Sequence, residues 1–314
     1  MSNLLNQIAG LRIKAVASMT GLSTHVIRKW EERYDLLHPR RESNAYRIYT
    51  EEEIQLLLYV KSQLAQGESI GELSQAGIRA LRRSMKEDPI SLSGIPQDYQ
   101  EETLRIVQSA QVRDVEVIQR ILTEWITPMG LEQALDTILF PVLRLIGELW
   151  HEGRISISSE HAVTRLIRQH LVTALRSDSP SGQAHAIIAC APGEYHEIAP
   201  LTAAFLLQNR GWQTIYLGSN VAFDVLALAL RRSHANLMIL SCTTEPGRKI
   251  EEQWLKTLRK RFQPHCQVMV GGAGFSAYTD LLTQYEIAPL RHMRDVTKLD
   301  PKYYVWQNQS SSIS

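Results

Sequence analysis

The chain has 314 residues, 44% of them hydrophobic and 21% charged, which is the composition of a folded polypeptide with room for roughly two or three cores and excludes a disordered one. A formal net charge of +1 decides nothing about nucleic acid, but the absence of any run of about eighteen apolar residues argues against a membrane partner. The start, MSNLLNQIAG, lacks the basic, apolar and small-residue order of a signal peptide, and Cys190, Cys242 and Cys266 stand singly without CxxC spacing. A cytoplasmic protein without disulfides is expected, its cysteines serving as small core residues.

Residues 1–86 are read as the first domain. RIKAVASMTGLSTHVIRKWEERY gives a short helix carrying Val16 and Met19, a turn at Thr20-Gly21-Leu22, an N-cap at Ser23 and a second helix with Val26, Ile27 and Trp30 at helical spacing. That is a helix-turn-helix pattern. A basic wing follows, closed by Thr50 with Glu53 three residues on, a capping box that opens the next helix. Between Arg12 and Arg47, eight basic residues face four acidic ones, a local excess suited to phosphates. The second helix would present His25, Arg28 and Lys29 to a groove, with Arg40, Arg41, Tyr46 and Arg47 along the wing, the arginines reaching phosphates of double-stranded operator DNA.

Residues 87–97, rich in Pro, Ser and Gly, read as a linker. Residues 98–176 carry apolar side chains at three-and-four spacing, with breaks at Pro128-Met129-Gly130 and Gly153, and fit a four-helix bundle with Trp125 and Met129 in its core. Within it, Trp150 and His151 precede Glu160 and His161. Taken alone, this segment fits an ordinary core tryptophan, or a zinc site from His151, Glu160 and His161 that lacks a fourth ligand. His170 reads as a polar-face histidine. A second linker is read at Ser177–Gly182.

From residue 184 to 306 the rhythm becomes strand and helix in alternation. The runs HAIIACA, QTIYL, NLMILSC and CQVMVGG are separated by helical stretches near 197–210, 222–233, 248–262 and 275–284. This is the pattern of a doubly wound, Rossmann-like parallel sheet of flavodoxin type, whose ligands sit at the carboxyl ends of the strands. The loops there are PGEYHEIAP, GSNVAF, TTEPGR and GGAGF. In the first, Glu194 and His196 bracket one residue, so the carboxylate could fix the imidazole tautomer and leave a neutral nitrogen for a metal. The tail from Gln307 is expected to be disordered.

Residues 11–85, through AVASMTGLSTHVIRKWEERYDLLHPRRESNAYRIYTEEEI, resemble the MerR family of winged-helix transcription regulators. Asp35 and Asn44-Ala45 stand where that family commonly has glycines. GEYHEIA resembles the Asp/Glu-x-His-x-x-Gly motif of cobalamin-binding domains, which implies His196 as the lower cobalt ligand and Glu194 as its partner. Gly271-Gly272 and Ser241 match positions that border the buried nucleotide tail, whereas Ala199 replaces a glycine and Thr243 a leucine.

Trp150, nine residues and then Glu160-His161 resemble the signature of the CarH/LitR light-dependent repressors. That resemblance implies adenosylcobalamin, with Trp150 packing on the adenosyl group, Glu160 and His161 holding the pocket, and His151 capturing cobalt after light breaks the Co–C bond. It implies a homo-oligomer, dimer or tetramer, that binds DNA in the dark and needs no turnover. Two other readings stay open: a corrinoid component of a methyl-transfer or isomerase enzyme, and a MerR-type regulator that senses another ligand or a partner protein.

Overall fold

The computed structural model describes residues 10–42, 45–175 and 184–304, so the second linker and the tail from Gln307 lie outside the described residues. The chain divides into two compact units, Met1–Leu166 and Ile167–Ser314.

The first unit opens with strand β1 (Leu11–Arg12), helix α1 (Ile13–Thr20) and helix α2 (Thr24–Tyr34). The Ser23 hydroxyl accepts the Val26 N–H at 3.2 Å, as an N-cap should. Strands β2 (Arg40–Arg41) and β3 (Arg47–Tyr49) complete a three-stranded antiparallel sheet of order β1-β3-β2. Helix α3 (Glu51–Ala65) starts at the expected capping box, in which Thr50 Oγ1 accepts the Glu53 N–H and Glu53 Oε2 accepts the Thr50 N–H. Helices α4 (Ile70–Ala76) and α5 (Ile78–Glu87) close this head over a core that includes Val16, Ile27, Trp30 and Tyr49.

The helices that follow are α6 (Gln100–Val112), α7 (Val115–Met129), α8 (Leu131–Ala134), which runs through a π turn at Leu135–Leu139 into α9 (Phe140–His151), and α10 (Ile157–Ala174). Breaks fall at Gly130 and Gly153 as read from the sequence, and Asp114 caps α7 by accepting the Val117 N–H at 3.2 Å. Trp125 is buried, with Ile118, Ile121 and Leu122 on the same helix. The π turn had no signature in the periodicity.

The second unit holds β4 (His185–Cys190), α11 (Ile198–Asn209), β5 (Gln213–Tyr216), α12 (Phe223–Ser233), β6 (Leu237–Ser241), α13 (Arg248–Arg261) and β7 (Gln267–Gly271). The helical stretch expected near 275–284 is two short helices, α14 (Ala273–Ser276) and α15 (Thr279–Gln284), because Tyr278 leaves helical geometry between them. A fifth strand, β8 (Ala288–Leu290), and a terminal helix, α16 (Met293–Val296), are too short for a periodic pattern to announce. All strands pair in parallel in the order β5-β4-β6-β7-β8. The order reverses beside β4, so the loops after β4 and β6 part and leave a crevice at their carboxyl ends. Helix α11 is buried from Pro200 to Leu207 because the sheet covers one side and α16 packs against it too.

Candidate functional site

On the head, α2 presents His25, Arg28 and Lys29 to solvent while Ile27 and Trp30 face its core. The capped helix start therefore sets which side chains a DNA groove would meet. Arg40, Arg41 and Tyr46 on the wing are also exposed. Arg47 differs from expectation: its Nε lies 2.8 and 2.9 Å from the two Glu31 oxygens, and a terminal nitrogen lies 3.3 Å from Glu32. With the Tyr49 hydroxyl also donating to Glu31 at 3.3 Å, Arg47 ties the wing to α2 instead of standing ready for a phosphate. Nothing local in the sequence signalled a pairing across sixteen residues.

Of the positions where glycines are common, Asn44 lies outside the described residues, while Asp35 and Ala45 keep left-handed backbone. Asp35 has φ of 52°, which aspartate tolerates, and Ala45 has φ of 63°, which its Cβ opposes. Ala45→Gly is expected to stabilise the head by about 1 kcal/mol, seen as a higher urea midpoint at unchanged slope.

Trp150 and His151 end α9, their rings 4.5 Å apart at the centroids. The Trp150 indole packs against the core cluster of the head. The exposed His151 places Nδ1 2.7 Å from the Gly147 carbonyl, so that nitrogen donates and Nε2 is left as the basic one. At the start of α10, Glu160 bonds His161 Nδ1 through one oxygen and accepts the Thr164 hydroxyl at 2.7 Å through the other. Among the described residues no three His, Cys, Asp or Glu side chains converge on a metal position, so His151, Glu160 and His161 do not form the zinc site weighed above.

In the second unit, Glu194 sits at the crevice with its side chain 1% exposed. Its Oε1 accepts the N–H groups of Tyr195 and His196 at 2.7 and 2.8 Å and His196 Nδ1 at 2.5 Å. Its Oε2 accepts the N–H groups of Thr243 and Thr244, from the loop after β6, at 2.5 and 2.8 Å. Burial alone would push this carboxyl up, but these donors outweigh it and hold the group at about 2. A carboxylate only accepts, so His196 carries its proton on Nδ1. Nε2 then points its lone pair outward from a side chain that is 68% exposed. This leaves a single, oriented nitrogen that could hold a metal bringing its other ligands with it.

The loop after β5 pins this arrangement: Asn220 Oδ1 accepts the Gly193 N–H and the Asn220 N–H donates to the Glu194 carbonyl, both at 2.8 Å. Beside it, Glu197 accepts Arg168 through both oxygens at 2.8 and 3.2 Å and the Tyr216 hydroxyl at 2.9 Å, a network the sequence reading missed because its members are scattered along the chain. A slot of about 200 Å³ opens below, walled by Ala199, Ala203, Ser241, Gly271 and Gly272. The Ala199 methyl therefore forms part of a slot that remains open. Gly272 is required for a reason other than a ligand: with φ of 100°, a Cβ there would stand 2.3 Å from the Cys242 carbonyl oxygen. Thr243 is exposed and contributes its backbone N–H, so a change of side chain at that position is tolerated.

Comparison with known proteins finds three family matches along the chain. Residues 11–76 match the MerR HTH family regulatory protein domain, residues 184–290 match a B12 binding domain, and residues 105–173 match a second B12 binding domain. The chain is 29% identical over 266 residues to the HTH-type transcriptional repressor CarH of Myxococcus xanthus, spanning 83% of this chain and 88% of that one. It is 30% identical over 240 residues to the repressor CarA of the same organism, spanning 72% and 78%. Among solved structures, the monomethylamine corrinoid protein of Methanosarcina barkeri matches with a TM-score of 0.53 at 15% identity, covering 65% of this chain and 99% of that one, a likeness of fold.

Proposed function

This chain belongs to the CarH/CarA family of HTH-type transcriptional repressors, and from that premise we propose that it reads light through adenosylcobalamin and converts the signal into a change of assembly on DNA. It is a cobalamin-sensing, DNA-binding transcription regulator. None of its described helices is long and apolar enough to cross a membrane. The proposal places it in the cytoplasm as a dimer or tetramer working without turnover.

The observation that carries the proposal is the Glu194–His196 pair, which holds one imidazole with its proton fixed inward and its lone pair outward. The residues fit a corrinoid: His196 would hold the cobalt through Nε2, Glu194 would fix the ring orientation by accepting from Nδ1, and the slot by Ser241, Gly271 and Gly272 would take the tail. When bound, the cofactor supplies a light-labile cobalt–carbon bond. Trp150, Glu160 and His161 are proposed to recognise the adenosyl group, and His151, whose Nδ1 bonds the Gly147 carbonyl and leaves Nε2 available, would offer cobalt a second nitrogen. On the head, His25, Arg28 and Lys29 would enter the major groove, with Arg40, Arg41 and Tyr46 at the phosphates.

The test is the absorption spectrum of the full chain mixed with adenosylcobalamin, desalted in the dark and then exposed to green light, with gel-filtration elution of each sample. Retained colour that shifts on illumination, with a change of elution volume, is expected. His196→Ala should lose the imidazole-ligated spectrum and weaken dark assembly by about tenfold or more, in line with the cost of losing a metal ligand or its support. A protein that stays colourless, or coloured protein with a light-insensitive elution, rejects the proposal.

A further inference from the structure

Between the two halves of the Trp150–His161 segment, the chain is bound to the head. Gly153, with φ of 71°, lets the turn approach α3 backbone to backbone: a Cβ there would stand 2.1 Å from the Gln55 carbonyl oxygen and 2.6 Å from the Tyr59 nitrogen. Only glycine allows that approach. Arg154, its side chain 10% exposed, donates to the carbonyls of Asp88 and Pro89 in the linker, at 3.0 Å to Pro89. Tyr59 of α3 donates to the Asp88 carboxylate at 3.0 Å, so helix and linker are held together. Glu51, in the first turn of α3, accepts the Ser158 N–H at 3.0 Å and so caps the start of α10 from outside it.

Trp150 adds its indole to the head's core, with Nε1 buried and, like Arg154 Nε, without a hydrogen-bond partner among the described residues. Docking leaves His25, Arg28 and Lys29 exposed. It therefore governs the orientation of the head, on which the spacing of two heads along a duplex depends, and leaves access to the recognition helix open.

We infer that residues 150–158 form a latch that fixes the orientation of the DNA-binding head, and that ligand recognition by Trp150 opens it. The second half rests on the proposed role of Trp150 in recognising the adenosyl group. One indole cannot both pack in the head and pack on a ligand, so each state excludes the other. The unpartnered Nε1 makes the docked position easier to leave. Ligand affinity is thereby coupled to head release, to the extent that the ligand prefers the undocked indole.

The test is hydrogen–deuterium exchange of the linker amides 88–95 and of the Ser158 amide in the full chain, with chymotryptic cleavage at Leu92 as a second readout. In the ligand-free protein Gly153→Val and, separately, Arg154→Ala and Glu51→Gln are expected to speed linker exchange and cleavage by about tenfold. All three should still acquire the imidazole-ligated cobalamin spectrum, which shows that they fold and that the second unit is untouched. Wild-type protein loaded with adenosylcobalamin in the dark should show the same loosening, and Trp150→Ala should be loose with or without it.

Unchanged protection in all three variants overturns the latch. Wild-type protein that is coloured yet keeps its linker protected overturns the coupling while leaving the cobalamin proposal intact. Colourless wild-type protein is recognised from the spectrum alone and removes the functional proposal together with the ligand-driven half of this one.

Discussion

Replacing Glu194 by alanine is expected to destabilise the second unit by about 3–4 kcal/mol at neutral pH and to abolish imidazole ligation. The carboxylate accepts five N–H donors from two loops, and removing it leaves several of them unpartnered in a crevice at the sheet's carboxyl edge. Bonds to a charged group contribute about 1.5–3 kcal/mol each, and partial rewetting of the loops keeps the sum to the lower figure given. His196 would also lose the acceptor that fixes its proton on Nδ1. The pH dependence follows from a carboxyl held at about 2 in the fold and near 4.5 when unfolded. Its stabilisation is complete above about pH 4.5 and is lost as pH falls through 2. Exchange of the β4 and β6 amides, measured from pH 7 down to 3, should decline in protection for the wild type and stay flat for Glu194→Ala. Equal acid limbs would reject this account.

Glu251 behaves in the opposite sense. It lies on α13, fully buried, with neither carboxylate oxygen bonded to any described group. Burial pushes its carboxyl up to about 7, and Asp280 and Glu245 add to the rise against the pull of Arg248. The folded state binds the proton more tightly than the unfolded chain, so the second unit loses stability as pH rises from about 4.5 to 7 and stays lower above that. Glu251→Gln removes the charge at nearly constant volume. It is expected to be nearly neutral at pH 4.5 and to stabilise by roughly 2 kcal/mol at pH 8, read from urea midpoints at both values. A gain that does not grow with pH would contradict it.

The head was legible because its signals are local. Ser23, the Thr50–Glu53 box and the spacing of Ile27 and Trp30 act within a few residues, and the helix they start turns His25, Arg28 and Lys29 outward whatever surrounds it. The four longer strands were legible as buried β-rich runs, and Glu-x-His at the end of the first already placed a carboxylate within reach of an imidazole two residues away. The split of α14 from α15, the three-residue β8 and the π turn after α8 were not, since each is shorter than the window in which a period can be counted.

The sequence by itself determined the helix caps, the outward face of α2 with His25, Arg28 and Lys29, the buried β-rich runs and the Glu194-x-His196 spacing. Only the tertiary structure decided what those groups meet. Glu194 draws two of its donors from a loop 49 and 50 residues away, Gly153 meets a helix carbonyl 98 residues earlier in the chain, and Arg47 finds Glu31. Gly272 is required by the Cys242 carbonyl, and Glu251 is buried with no hydrogen-bond partner among the described residues. Capping and periodicity are fixed by covalent neighbours, whereas a buried charge or a backbone approach depends on which distant segment the packing brings within about 3 Å, and no local pattern encodes that distance.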